Sequence, residues 1–117
     1  MKGLKVALLQ LLPENTLDRN LQKGMEYCRK AKEAGAEIAL FPEMWSVGYH
    51  MSEDPEKLKA NAVSANDEFV KSFGCLAKEL ELAIGITFLE KYDPLPRNTL
   101  CLFDRFGNKV LTYAKVH

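Results

Sequence analysis

The chain of 117 residues holds only two histidines, His50 and His117, and its three cysteines, Cys28, Cys75 and Cys101, form no CxxC pair. Zinc sites and disulfide frameworks both need a ligand spacing that is missing here. Reduced thiols are expected, with no metal and no cofactor. Net charge is missing too: sixteen Lys and Arg cancel sixteen Asp and Glu, interspersed along the chain. A surface for nucleic acid or anionic lipid would need a basic block, so neither is expected as a partner. No apolar run approaches the ~18 residues that span a bilayer, and Met1-Lys2-Gly3 runs into a short apolar segment without a cleavable leader pattern. A cytoplasmic protein is the expectation. Neither a GxGxxG nor a Walker glycine loop follows the first apolar segment, which argues against a nucleotide-binding domain. Internal repeats, low-complexity tracts and linkers are absent.

What is present is enough for one core, since 47% of the side chains are apolar, and at this length one domain over residues 1–117 is expected. Leu4 to Leu11 reads as a first strand with Val6, Leu8 and Leu9 inside, closed by the turn signal Pro13-Glu14-Asn15. A helix follows, capped by Asn15 or Thr16. Leu17, Leu21, Gly24/Met25, Cys28 and Ala31 recur at helical spacing up to Gly35, a C′ residue. Ile38 to Pro42 reads as a short buried strand. Met44 to about Val63 is irregular, a site loop plus a short turn or helix, and its Ser52 to Lys57 run reads as a solvated face. Ser64 with Asp67 gives a capping signature, ahead of a second helix marked by Phe69, Phe73, Leu76, Ala77 and Leu80. Cys28 lies on a packed face and Cys75 on an outer one. Gly74, inside a helix, implies a close packing contact. Leu82 to Phe88 is a buried strand, and Asn98 to Asp104 and Lys109 to Lys115 form a hairpin around Arg105-Phe106-Gly107-Asn108. The order β-α-β-α-β-β implies an α/β fold with a mixed sheet and helices packed on one face or both.

The chemistry concentrates at two strand ends. Glu43 follows the apolar run Ile38-Ala39-Leu40-Phe41-Pro42 and stands at the carboxyl end of a strand, where open α/β sheets bind ligands. An acid emerging from an apolar wall has its pKa raised by desolvation, which suits a general base. Lys115 ends the last strand in Tyr113-Ala114-Lys115-Val116-His117, where Tyr113, Lys115 and His117 share one side. Phe41-Pro42-Glu43 followed by Gly48-Tyr49, the helix ending Ala34-Gly35-Ala36, Ile84-Gly85, Arg97-Asn98-Thr99 and Tyr113-x-Lys115-x-His117 resemble, in order and spacing, the carbon-nitrogen hydrolase family, or nitrilase superfamily. The resemblance runs the length of the chain.

It implies an α-β-β-α sandwich, of which this is the N-terminal half, and hydrolysis of a small amide, carbamoyl compound or nitrile by a Glu-Lys-Cys set. Glu43 would be the general base and Lys115 the cation beside the developing oxyanion. Trp45 and Tyr49 are candidates for the substrate pocket wall, the alternative being packing of the loop against the core; His117 orders the strand end. The nucleophile is missing: the family cysteine stands on a turn beyond the Lys motif, and none of Cys28, Cys75 or Cys101 matches it. Cys101, between Leu100 and Leu102, is expected to be buried. The expectation is therefore an incomplete portion of a longer enzyme, inactive alone, with a homo-oligomer implied for the whole. The alternative is a non-catalytic α/β module that associates with itself or a partner through an uncovered sheet.

Overall fold

Thr16 begins the first helix as its sequence implies: the side chain accepts the Arg19 N–H at 3.1 Å, and the backbone is extended at the cap itself. In this computed structural model, which describes residues 4–12, 16–42, 45, 56, 59–60 and 62–114, helix α1 runs over Leu17–Glu33. Asn20, Gly24, Cys28 and Ala31 recur at intervals of four and three and form its buried stripe. Gly35, at a φ of 91°, follows the cap residue Ala34. Helix α2 covers Glu68–Leu80 and buries Phe69, Val70, Phe73, Gly74, Leu76 and Ala77. Its cap differs from the sequence expectation. Asp67 accepts the Phe69 N–H at 3.0 Å, while Ser64 closes a separate turn onto the Asn66 N–H at 3.2 Å.

Five strands form one sheet in chain order: β1 Val6–Leu8, β2 Ile38–Leu40, β3 Ala83–Glu90, β4 Arg97–Phe103 and β5 Lys109–Ala114. β1, β2 and β3 pair in parallel, and β3, β4 and β5 pair antiparallel. The sheet is mixed, and the hairpin read around residues 105–108 joins β4 to β5. Two helices packed on a mixed sheet of five strands fit the α/β expectation. None of the described helices is long and apolar enough to cross a membrane.

Register decides which side chains meet the helices. Ala39, Ile84 and Phe103 occupy one row, Ile86 lies beside Cys101, and Phe88 beside Thr99. All of these but Thr99 form one apolar cluster with the buried apolar residues of α1 and α2. Both helices therefore serve the same face of the sheet. The opposite face carries Val6, Leu8, Leu111 and Tyr113, and Leu8 and Tyr113 are 66% and 64% exposed. This corrects the first strand, in which Val6 and Leu8 were expected inside. Alternation gives Ala7 the helix side, beside Ala39, and turns its two larger neighbours to the other.

Gly74 sits where α2 crosses β4. A methyl group added to it would come within 2.8 Å of Cε1 of Phe103, a ring that is itself buried. The close contact inferred from a glycine inside a helix is thus the Phe103 ring. Gly74→Ala should gain about 1 kcal/mol of helix propensity and lose about 1–3 kcal/mol to overpacking. A net loss on the order of 1 kcal/mol is expected, read as a lower urea midpoint at unchanged m-value.

Candidate functional site

β3 is longer than β2, and its surplus length shapes the candidate site. β2 ends at Leu40, opposite Gly85, and Phe41 adds one further backbone bond, its N–H to the Gly85 carbonyl at 3.0 Å. Farther along the same edge of β3, Val63 takes over: its N–H reaches the Leu89 carbonyl and its carbonyl accepts from Lys91, both at 2.8 Å. The chain leaves the sheet after Phe41 and rejoins it at Val63. Both attachments lie toward the carboxyl end of the parallel strands, where an α/β sheet binds ligands.

Thr87 occupies the gap between these two attachments. Its hydroxyl donates a short hydrogen bond to the Pro42 carbonyl and accepts the Trp45 N–H at 3.1 Å. One buried oxygen therefore ties down both flanks of positions 43 and 44. Trp45 is fully buried and anchors the same segment from the helix side, its indole N–H donating to the Asn20 carbonyl at 3.1 Å. The ring packs 5.4 Å from Phe41, which meets Phe73 edge-on at 5.1 Å. Gly24 makes room for this group. A methyl there would lie 2.9 Å from both phenylalanine rings and 3.0 Å from the indole nitrogen.

The end of β5 is held at a matching level. Its last residue, Ala114, lies in register with Thr99, and Thr99 with Phe88, the neighbour of Thr87. Since β4 is antiparallel to both of its neighbours, β5 runs parallel to β3. The carboxyl end of β5 thus lies at the same edge of the sheet as the carboxyl end of β2. Thr99 is buried, and its hydroxyl donates to Glu90 Oε1 at 2.8 Å; Arg97 Nε donates to the same oxygen at 2.8 Å. The Arg97 guanidinium also stacks 3.9 Å from the Tyr92 ring centroid. Two charge-assisted bonds on one oxygen give this corner a fixed geometry.

Glu43, Tyr49, Lys115 and His117 lie outside the described residues, as do Ser52 to Lys57 apart from the exposed Glu56. What is on view is the scaffold on either side of the two candidate catalytic positions. Thr87 and Glu90 were not singled out from the sequence, and Thr99 only as part of Arg97-Asn98-Thr99. A hydroxyl inside the apolar run Leu82 to Phe88 was the available signal, because buried polar groups require partners.

The thiols are sorted by burial. Cys28 and Cys101 are fully buried and Cys75 is exposed. Burial pushes the Cys28 thiol up to about 12, against a small opposing pull from Arg29, so its thiolate is scarce at neutral pH. Cys101 lies 3.7 Å from the Thr112 hydroxyl. In the native 117-residue chain, Ellman's reagent should titrate one thiol promptly, Cys75, and all three after unfolding in guanidinium. Prompt reaction of two or three would contradict this packing.

Comparison with known proteins places this geometry. The carbon-nitrogen hydrolase profile matches residues 5–117. The chain is 27% identical over 118 residues to a citrullinase of Francisella tularensis, covering 100% of this chain and 41% of that protein. It is 26% identical over 116 residues to an N-carbamoylputrescine amidase of Oryza sativa, covering 97% and 38%. An amidase from Nesterenkonia sp. superposes with a TM-score of 0.78 at 23% identity, over 100% of this chain and 45% of that one. The chain spans less than half the length of these relatives.

Proposed function

Since the chain belongs to the carbon-nitrogen hydrolase family, we propose that it supplies the acid and the ammonium of a thiol hydrolase acting on a small amide, carbamoyl or nitrile substrate. Glu43 is the general base and Lys115 the oxyanion cation. The attacking cysteine is contributed by polypeptide outside residues 1–117, because Cys28 and Cys101 are sealed in the core and Cys75 lies on the outer face of α2. The 117 residues are then one part of a single hydrolase domain and inactive alone.

The observation that carries this reading is the convergence of two strand ends. The carboxyl ends of β2 and β5 lie at one edge of the sheet, with Trp45 bonded to Thr87 and Ala114 in register with Phe88 through Thr99. β2 and β5 stand three strand spacings apart, about 14 Å, and each candidate side chain is long enough to reach into the space between. Tyr113 faces away from the helices, and the sequence alternation puts Lys115 in phase with it. Thr87, which holds the Glu43 segment, shares it through Leu100.

The chemistry follows from the two charges. The carboxylate takes the thiol proton, the thiolate adds to the substrate carbon, and the proton returns to the departing nitrogen. The ammonium stabilises the oxyanion of the tetrahedral intermediate in a site that excludes water, and it keeps the carboxylate ionised until it acts. Of the two aromatic candidates, Tyr49 is assigned to the pocket wall and Trp45 to anchoring the loop, since its indole is enclosed. The exposed apolar sheet face, with Leu8, Leu111 and Tyr113, receives the second layer of the sandwich. A homo-oligomer and a cytoplasmic location belong to the same reading.

The test uses protein expressed from the complete reading frame. Glu43→Gln and Lys115→Met should each lower kcat by about 10²–10⁴-fold, with substrate affinity far less affected, because both groups act mainly in the transition state. Either variant turning over at the parent rate would remove that residue from the mechanism.

A further inference from the structure

Thr87 is a lone hydroxyl on a strand whose other side chains, from Ala83 to Leu89, are apolar or glycine. Both of its hydrogen-bonding roles are committed to one segment. The O–H donates to the Pro42 carbonyl and the oxygen accepts from the Trp45 N–H. Those two backbone groups flank positions 43 and 44, where the β2 side of β3 passes from Phe41 to Val63. Among the described contacts, Pro42 and Trp45 are held to β3 by this side chain and not by backbone pairing.

We propose that Thr87 is a positioning residue for the reaction, fixing through its hydroxyl the Pro42 and Trp45 backbone groups that flank Glu43 in sequence. The inference rests on the assignment of Glu43 as the base. A threonine suits the task physically. Its β-branch favours the strand and limits χ1, so the hydroxyl is held in one direction before substrate arrives. A general base must sit within hydrogen-bond reach of the proton it takes, and a displacement of about 1 Å costs on the order of 10²-fold in rate. Cutting the clamp would free both flanks of the base and leave a buried N–H and a buried C=O without this partner. The charge on the base and the pocket wall would be unchanged.

The experiment compares Thr87→Val, Thr87→Ala and Thr87→Ser in protein expressed from the complete reading frame and carrying Cys75→Ser, with active sites counted by thiol titration. Val keeps the volume and deletes the hydroxyl, Ala deletes it with a small cavity, and Ser keeps it. We expect kcat per titrated site to fall about 10–100-fold in the Val and Ala variants, with KM within about threefold of the parent. Thr87→Ser should keep kcat within about threefold. A purely structural role would lower the number of active sites or the melting temperature and leave kcat per site alone. Should the Val variant fail to fold, the Ala and Ser pair decides the matter. Parent-like kcat in both hydroxyl-free variants, or a Ser variant as slow as the Ala variant, overturns the proposal while leaving Glu43 in place. Glu43→Gln with parent-like kcat overturns the base assignment itself, and the positioning role with it.

Discussion

The placement of the candidate site depends on one constraint: β3 has to pair with several different segments along its length. On one edge β4 matches it residue by residue from Phe103 opposite Ile84 to Arg97 opposite Glu90. On the other edge β2 pairs only as far as Gly85, and Val63 resumes at the far end. The interval is bridged by the hydroxyl of Thr87. The chain leaves β3 after Phe41 and returns to it at Val63, with the Trp45 N–H tied to the same strand between them. The same strand fixes the level of β5 through the row Phe88, Thr99 and Ala114. The carboxyl ends of β2 and β5, far apart in sequence, thereby share one edge with a common reference.

The packing beneath that edge explains its firmness. Trp45, Phe41 and Phe73 fill the hollow that Gly24 leaves on α1, and the indole N–H is satisfied by the Asn20 carbonyl. Among the described residues, no buried side-chain nitrogen or oxygen lacks a partner. In an apolar interior each missing partner would cost about 1–3 kcal/mol. The loop thus leaves a core that is apolar below and fully paired at its rim. The exposed Arg29–Glu79 pair between the helices adds little, because solvent screens it.

Much of the architecture was legible because its signals are local. Thr16, Gly35 and Asp67 are cap chemistry, and the helices follow from apolar residues at helical spacing. Cys28 inside, Cys75 outside and Cys101 buried followed from periodicity and flanking residues. The reading failed where the answer depends on what lies across the sheet. Val6 and Leu8 look like interior residues by hydropathy, yet register sends them to the face opposite the helices. The cap lies at Asp67 and not Ser64 because each oxygen accepts the N–H two residues on, and only the Phe69 N–H begins the helix. Thr87 and Glu90 went unnoticed for a related reason. Each matters through partners some seven to 45 positions away, and no pattern of neighbouring residues announces such a bond.

The central claim is geometric: β3 gathers an acid after β2 and a lysine after β5 into one cavity on the sheet face turned away from the helices. The most direct measurement is a crystal structure of the protein expressed from the complete reading frame, read for the separation between the Glu43 carboxylate and the Lys115 ammonium. The account predicts about 4–6 Å, close enough for each charge to hold the other in its ionised form, with both heads sealed from bulk water. Heads on opposite sides of the sheet, or both open to solvent, would contradict it.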